Sequence, residues 1–225
     1  MLAPMPPADA RGLVALGDSI TRARGGTPAL GVHFQSWAQW LAEALELPFT
    51  NLAADGARAA DVLRAQVPRL RGAYDLGCLY AGVNDARAPD WDAAAFARDA
   101  DAIVAAMAGC CARVLVVLLP EDLGRPTCAP KPAQANAALR AVAARHDTTI
   151  ADLRAFGGAA HVLPDAVHPT SAGELAIADL AARALGAPVL PSSLADPPPG
   201  GARARARYAA WWSRLWLRDL ARRAR

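Results

Sequence analysis

Ser19 stands in Gly17-Asp18-Ser19-Ile20, directly after the apolar run Leu13-Val14-Ala15-Leu16. Four apolar residues and then Gly-Asp-Ser read as a buried strand ending in a sharp turn. A serine there lies at the carboxyl edge of a sheet, where open α/β folds place their ligands. A hydroxyl is a weak nucleophile by itself, so chemistry at Ser19 requires a base, a group that orients the base, and donors for a developing oxyanion. Of His33, His146, His161 and His168, the last is the candidate base. It lies in Asp165-Ala166-Val167-His168-Pro169, and the proline holds it extended at the mouth of a loop. Asp165 can turn back to accept the imidazole Nδ1–H and so aim Nε2 at the serine. Taken alone, D-x-x-H-P also fits a purely structural loop; it gains weight beside a serine at a strand end.

Two candidates supply oxyanion donors. Gly56 follows a second short apolar segment, and Asn84 follows a third, in Gly82-Val83-Asn84-Asp85. Both fall on the sheet edge that carries Ser19. A glycine lets its N–H approach a substrate closely, and an asparagine offers an amide donor. Each also has a plainer reading: Gly56 as the turn into a helix, Asn84-Asp85 as a turn pair.

The elements that must position these residues alternate along the chain. Strands are predicted at Leu13 to Leu16, Phe49 to Leu52, Leu76 to Tyr80, Val114 to Leu119 and Thr149 to Leu153. Helices are predicted at about Phe34 to Leu47, after Gly56 as far as Pro68, at Asp92 to Met107, at Ala133 to His146, and from Thr170-Ser171 to Leu185. Ser171 and Glu174 make the S-x-x-E pattern of a capping box, with Gly186 as the stop. Pro120 to Pro132 carries four prolines and reads as a loop. The alternation predicts an α/β fold, a three-layer α/β/α sandwich with a doubly wound, five-stranded parallel sheet.

The 225 residues are 54% hydrophobic and 20% charged, a globular composition with a net charge of only +3. No signal peptide and no membrane-spanning run is read from the sequence. Cys78, Cys110, Cys111 and Cys128 lack a metal-site spacing, and reduced thiols in a cytoplasmic protein are the simplest reading. Neither a metal nor a cofactor is expected.

Gly17-Asp18-Ser19-Ile20, Gly56, Gly82-Val83-Asn84-Asp85 and Asp165-Ala166-Val167-His168 together resemble the four sequence blocks of the SGNH (GDSL-type) hydrolases, in order and at fitting intervals. The resemblance covers about residues 12 to 186. It implies a flavodoxin-like sandwich and metal-independent hydrolysis of carboxylic esters or thioesters. It also implies roles: Ser19 as nucleophile, His168 as base and then acid, Asp165 as its orienter, and Ser19 N–H, Gly56 N–H and the Asn84 amide as oxyanion hole. One departure stands out. Many members carry glycine four residues after the serine, where this chain has Ala23. That departure puts the shape of the first loop in question. His33, His146 and His161 match no block and read as surface or packing residues.

The loops Thr21 to His33, Ala86 to Trp91 and Pro120 to Pro132 are expected to wall the substrate pocket. Arg22, Arg24 and Arg87 would favour an anionic portion, and Trp91 and Val167 an apolar acyl slot. Residues 1–187 form the hydrolase domain on this reading, 188–201 a Pro/Gly linker, and 202–225 a basic amphipathic helix. Past Pro199 there are eight arginines and one aspartate. Tyr208, Trp211, Trp212, Leu215, Trp216 and Leu220 fall on one helical face, and Arg203, Arg207, Arg214, Arg218 and Arg225 on another. Docking on the body or on a second subunit is the first reading of this tail, a membrane surface the second, and nucleic acid the weakest. Asp219 sits on the apolar side, with Arg222 or Arg223 as its expected partner. The function read from the whole is ester hydrolysis through an acyl-enzyme. Its rivals are a carbohydrate O-acetyl esterase, a thioesterase, or a non-catalytic scaffold that docks through its tail.

Overall fold

Strands buried on both faces read as continuous apolar runs, and Leu13–Gly17 (β1) is one, with every residue inaccessible to solvent. In the computed structural model, which describes residues 12–23, 32–195 and 202–223, β1 is joined by Phe49–Asn51 (β2), Tyr74–Tyr80 (β3), Cys111–Val117 (β4) and Thr149–Ala151 (β5). All pairings are parallel, in the order β2-β1-β3-β4-β5. This is the flavodoxin-like order, which reverses direction beside β1 and so opens a crevice at its carboxyl end. The register sets Gly17 opposite Tyr80 and Leu13 between Phe49 and Leu76. Both edge strands are three residues long, which limits the exposed ladder.

Ser19–Arg22 (α1), Trp37–Ala44 (α2), Ala59–Asp61 (α3), Val83–Arg87 (α4), Ala93–Ala108 (α5), Lys131–Arg145 (α6), Ser171–Leu185 (α7) and Ala202–Arg223 (α8) are the helices among the described residues. α2 packs on α7; α5 packs on α6, with α3 beside α5. The core between them includes Trp37, Trp40, Leu79, Ile103, Met107 and Leu115, all essentially inaccessible.

Several predicted elements differ at their ends. α2 starts at Trp37 and not near Phe34, because Ser36 takes the N-cap and its Oγ accepts the Gln39 N–H at 3.1 Å. The helix after Gly56 is not regular. α3 passes into a π turn at Val62–Gln66 and a 3-10 turn at Val67–Arg69. Val67 N–H reaches back to Val62 O, and Pro68 has no N–H with which to continue the ladder. The Ser171/Glu174 capping box does not form. Thr170, one residue earlier, caps α7 by accepting the Gly173 N–H at 3.0 Å. Glu174 instead accepts the Trp37 N–H at 2.8 Å and so caps α2 across the layer. Burial pushes the Glu174 carboxyl well above its usual range against that N–H bond, and the charge of Asp18 adds to the rise.

α8 lies against the loop between β5 and α7. The Tyr208 hydroxyl donates to Ala159 O, and Trp212 Nε1 donates to Val162 O at 3.1 Å. Tyr208, Trp211, Trp212, Leu215 and Asp219 are half-buried, whereas Trp216, Leu217 and Leu220 remain exposed. The side chains of Arg222 and Arg223, expected beside Asp219, lie outside the described residues, as does Arg225. No described helix is long and apolar enough to cross a membrane.

Candidate active site

The turn that presents Ser19 is held from three sides. A Cβ on Gly17 would come within 2.3 Å of Tyr80 O, so only glycine fits there. Past Asn51, the Leu52 and Ala54 N–H groups still donate to Ala15 O and Gly17 O, but it is the side chain of Gln66 that meets the Gly17 N–H. Gln66 Oε1 accepts the Gly17 N–H at 2.9 Å and its Nε2 donates to Gly17 O at 2.8 Å. Gln66 is 1% exposed. Asp18, fully buried, caps α1 by accepting the Ile20 N–H at 2.9 Å. Burial pushes its carboxyl up to about 7, overcoming the Ile20 N–H and the attraction of His168. Neither Gln66 nor Asp18 was singled out for its own role by the sequence. For Asp18 a signal existed, an aspartate directly before a short helix.

Ser19, 8% exposed, places its Oγ 3.1 Å from His168 Nε2. His168 Nδ1 lies 2.7 Å from Asp165 Oδ2. Because a carboxylate only accepts, Nδ1 carries the proton there, and Nε2 is left to accept from the serine. The other Asp165 oxygen accepts the N–H groups of Val167 at 2.9 Å and His168 at 3.0 Å. Burial works to raise the Asp165 carboxyl, but the bond to His168 and these two N–H groups hold it below its usual range. The loop is tied to itself: Leu163 N–H bonds to His168 O at 2.9 Å, and Thr170 N–H to His161 O at 2.9 Å.

Asn84 lies in the first turn of α4. Its Nδ2 donates to Ala57 O at 3.1 Å and lies 3.4 Å from Asp18 Oδ2. Next to it, Asp85 accepts the Ala59 N–H with both oxygens, at 3.2 and 3.1 Å, and so fixes α4 to the start of α3. Burial lifts the Asp85 carboxyl to about 6 against that bond. Gly56 sits in the turn just before, exposed, with φ +71°. Its N–H has no acceptor among the described residues. Ala23 ends α1 with φ +64°, the left-handed conformation that a glycine would adopt without strain.

The expected substrate contacts divide. Val167 lines a cavity beside the His168 loop. Trp91 is engaged elsewhere: its ring packs on Phe96, centroids 5.4 Å apart, and its Nε1 donates to Gln134 at 2.7 Å. Arg22 lies 3.8 Å from Asp55. Most of the loop from Thr21 to His33, including Arg24, lies outside the described residues. His146 bonds to Asp101 at 2.9 Å, and His161 stacks on Phe156, as packing residues do. Among the described residues no group of three His, Cys, Asp or Glu side chains is arranged to hold a metal ion.

Solved structures of the same fold include LAE5, an alpha/beta hydrolase enzyme from the metagenome of Lake Arreo, Spain. It has a TM-score of 0.65 and 20% identity, over 79% of this chain and 96% of that one. Axe2, an acetylxylan esterase from Geobacillus stearothermophilus, has a TM-score of 0.62 and 17% identity, over 79% of this chain and 95% of that one. At such identities the likeness is one of fold. No curated protein matches the sequence. The model of the GDSL-like Lipase/Acylhydrolase family matches residues 15–176, a span that holds the Ser19 turn, Asn84 and the Asp165–His168 loop. The chain therefore belongs to the GDSL-like lipase/acylhydrolase family and is a carboxylic ester hydrolase.

Proposed function

We propose that Ser19, His168 and Asp165 act as a catalytic triad that cleaves carboxylic or thio esters through an acyl-enzyme. The observation that carries this reading is the unbroken chain from Ser19 Oγ to His168 Nε2 at 3.1 Å and from His168 Nδ1 to Asp165 at 2.7 Å. Ser19 Oγ attacks the ester carbonyl while His168 Nε2 takes its proton, and the same proton then goes to the leaving oxygen or sulfur. Water repeats the sequence against the acyl-enzyme. Ser19 N–H, at the first position of α1, and Gly56 N–H are the backbone donors to the oxyanion. Asn84 Nδ2 supplies the third; its long 3.4 Å contact to Asp18 is the one that yields to the oxyanion.

Ser19→Ala and His168→Ala are each expected to lower kcat on p-nitrophenyl esters by about a thousandfold or more. Fluorophosphonate labelling is expected to be lost with Ser19. Full turnover in either variant would refute the assignment. The likeness to an acetylxylan esterase favours a second reading, removal of acetyl groups from carbohydrate. Acetylated xylo-oligosaccharides and acyl thioesters, assayed side by side, separate the alternatives. A cytoplasmic setting is supported by four free thiols. α8 has already used its Tyr208 and Trp212 edge on the body, which supports docking as its main role.

A further inference from the structure

A cavity of about 320 Å³ lies between α8 and the loop that carries Asp165 and His168. Neither Ser19 nor His168 lines it, but residues next to them in the chain or the sheet do. Val167, which lines it, directly precedes His168, and Tyr80, at its floor, is the sheet partner of Gly17, two residues before Ser19. α8 contributes Trp212 and Trp216 to the opposite wall. The polar tip of Trp212 is occupied by Val162 O, so what it offers the cavity is ring carbon. Val162, Leu163 and Ile177 add aliphatic surface.

Among the described residues, the only charged ones in the lining are Asp122 and Arg125. They satisfy each other through two parallel bonds of 2.7 Å, so neither asks for an ionic partner. The site therefore selects against a charged occupant, which would lose its hydration without a counter-charge. At the ~30 Å³ that one water occupies in the liquid, the space holds about ten non-hydrogen atoms. This is far more than an acetyl group needs, and it lies at the small end of ligand pockets.

We propose that this cavity receives the acyl chain of the substrate, a neutral, apolar chain of medium length, and that α8 forms its outer wall. The inference rests on the assignment of Ser19 as nucleophile. α8 is thus part of the specificity apparatus and not only an appendage: the hydrolase body supplies the chemistry and the helix sets how long an acyl chain is favoured.

The test uses the full chain and p-nitrophenyl acetate, butyrate, octanoate and dodecanoate. The wild type is expected to show a kcat/KM for octanoate at least about tenfold above that for acetate, falling again at dodecanoate. Trp212→Ala and Trp216→Ala, which take away the wall, are expected to lower the octanoate-to-acetate ratio about tenfold. Ala159→Leu, on an exposed part of the lining, fills the cavity without touching the core and is expected to lower the same ratio. A wild type that prefers acetate, or a ratio that stays constant in all three variants, overturns the inference. Ser19→Ala, run alongside, separates the two claims. If it abolishes turnover while the ratios stay flat, only the acyl cavity fails; if it retains turnover, both fail.

Discussion

The two halves of the Ser19–His168 pair are held by different kinds of structure. The serine turn is fixed from beneath, by groups deep in the protein: the Gln66 amide on both polar atoms of Gly17, Asp18 at the start of α1, and the Tyr80 backbone against a position that admits no Cβ. The histidine loop is fixed from outside. Its side chains of Asp165 and His168 are about one-third exposed, its bonds are largely to itself, and α8 braces it at Ala159 and Val162. A buried polar network is costly to break, because each group left without a partner keeps its desolvation penalty. A half-exposed loop can exchange its lost bonds for water. The serine side should therefore fail through stability, and the histidine side through activity with the fold intact.

Asp165→Asn puts the largest effect on that contrast. It is expected to lower kcat by about ten-thousandfold, by allowing the wrong imidazole tautomer. Its urea midpoint should move little, and a large loss of stability there would erase the distinction. Asp18→Asn probes the other side through pH. Folded Asp18 keeps its proton up to about pH 7, whereas an unfolded aspartate releases it near ~3.9. Between those values the folded state binds more protons, so the contribution of Asp18 falls as pH rises and is constant above the window. At 1.4 kcal/mol per pKa unit the drop is at most about 4 kcal/mol, and the difference between wild-type and D18N melts from pH 4 to pH 8 should display it. Were the two pH profiles parallel, Asp18 would titrate normally.

Gln66→Leu is expected to cost about 2–3 kcal/mol in urea unfolding, since the Gly17 N–H loses its acceptor while Gly17 O keeps a second donor in Ala54 N–H. A neutral result would mean that the turn is self-supporting. The smallest effect belongs to Ala23→Gly. Relief of the left-handed conformation at φ +64° should raise stability by about 0.5–1 kcal/mol, measured by the thermal midpoint with activity retained.

What was legible in the sequence was whatever the chain states locally. β1 and the Gly-Asp-Ser turn are adjacent in sequence, and Asp165 and His168 share one loop, so their spacing alone brought out the candidates. Asn84 and Gly56 are candidates because both follow strands, and a parallel sheet delivers all such turns to one edge. Gln66 was hidden for the opposite reason: it acts on a residue 49 positions away, from a π turn that a regular helical pattern does not foretell. Glu174 shows a local rule overruled by packing. S-x-x-E suits a capping box, but Thr170 was better placed, and the carboxylate went to another helix. The apolar face of the tail was readable as a face, yet its edge against Ala159 and Val162 depended on where the β5–α7 loop would stand. Trp91, expected in an acyl slot, packs on Phe96 and donates to Gln134, because a tryptophan in a wall-forming loop can equally well fill a gap between helices.

The Gln66 amide has the shape and polarity of one peptide unit, and at the Gly17 N–H it substitutes for the carbonyl of a neighbouring strand. The amide protons of Leu13, Val14, Ala15 and Leu16 lie within the strand ladder, whereas that of Gly17 is guarded by a single side chain. Hydrogen exchange at residue 17 would consequently serve as a clock for motion beneath the serine, running at the rate at which one glutamine swings away and not at the rate at which the sheet comes apart.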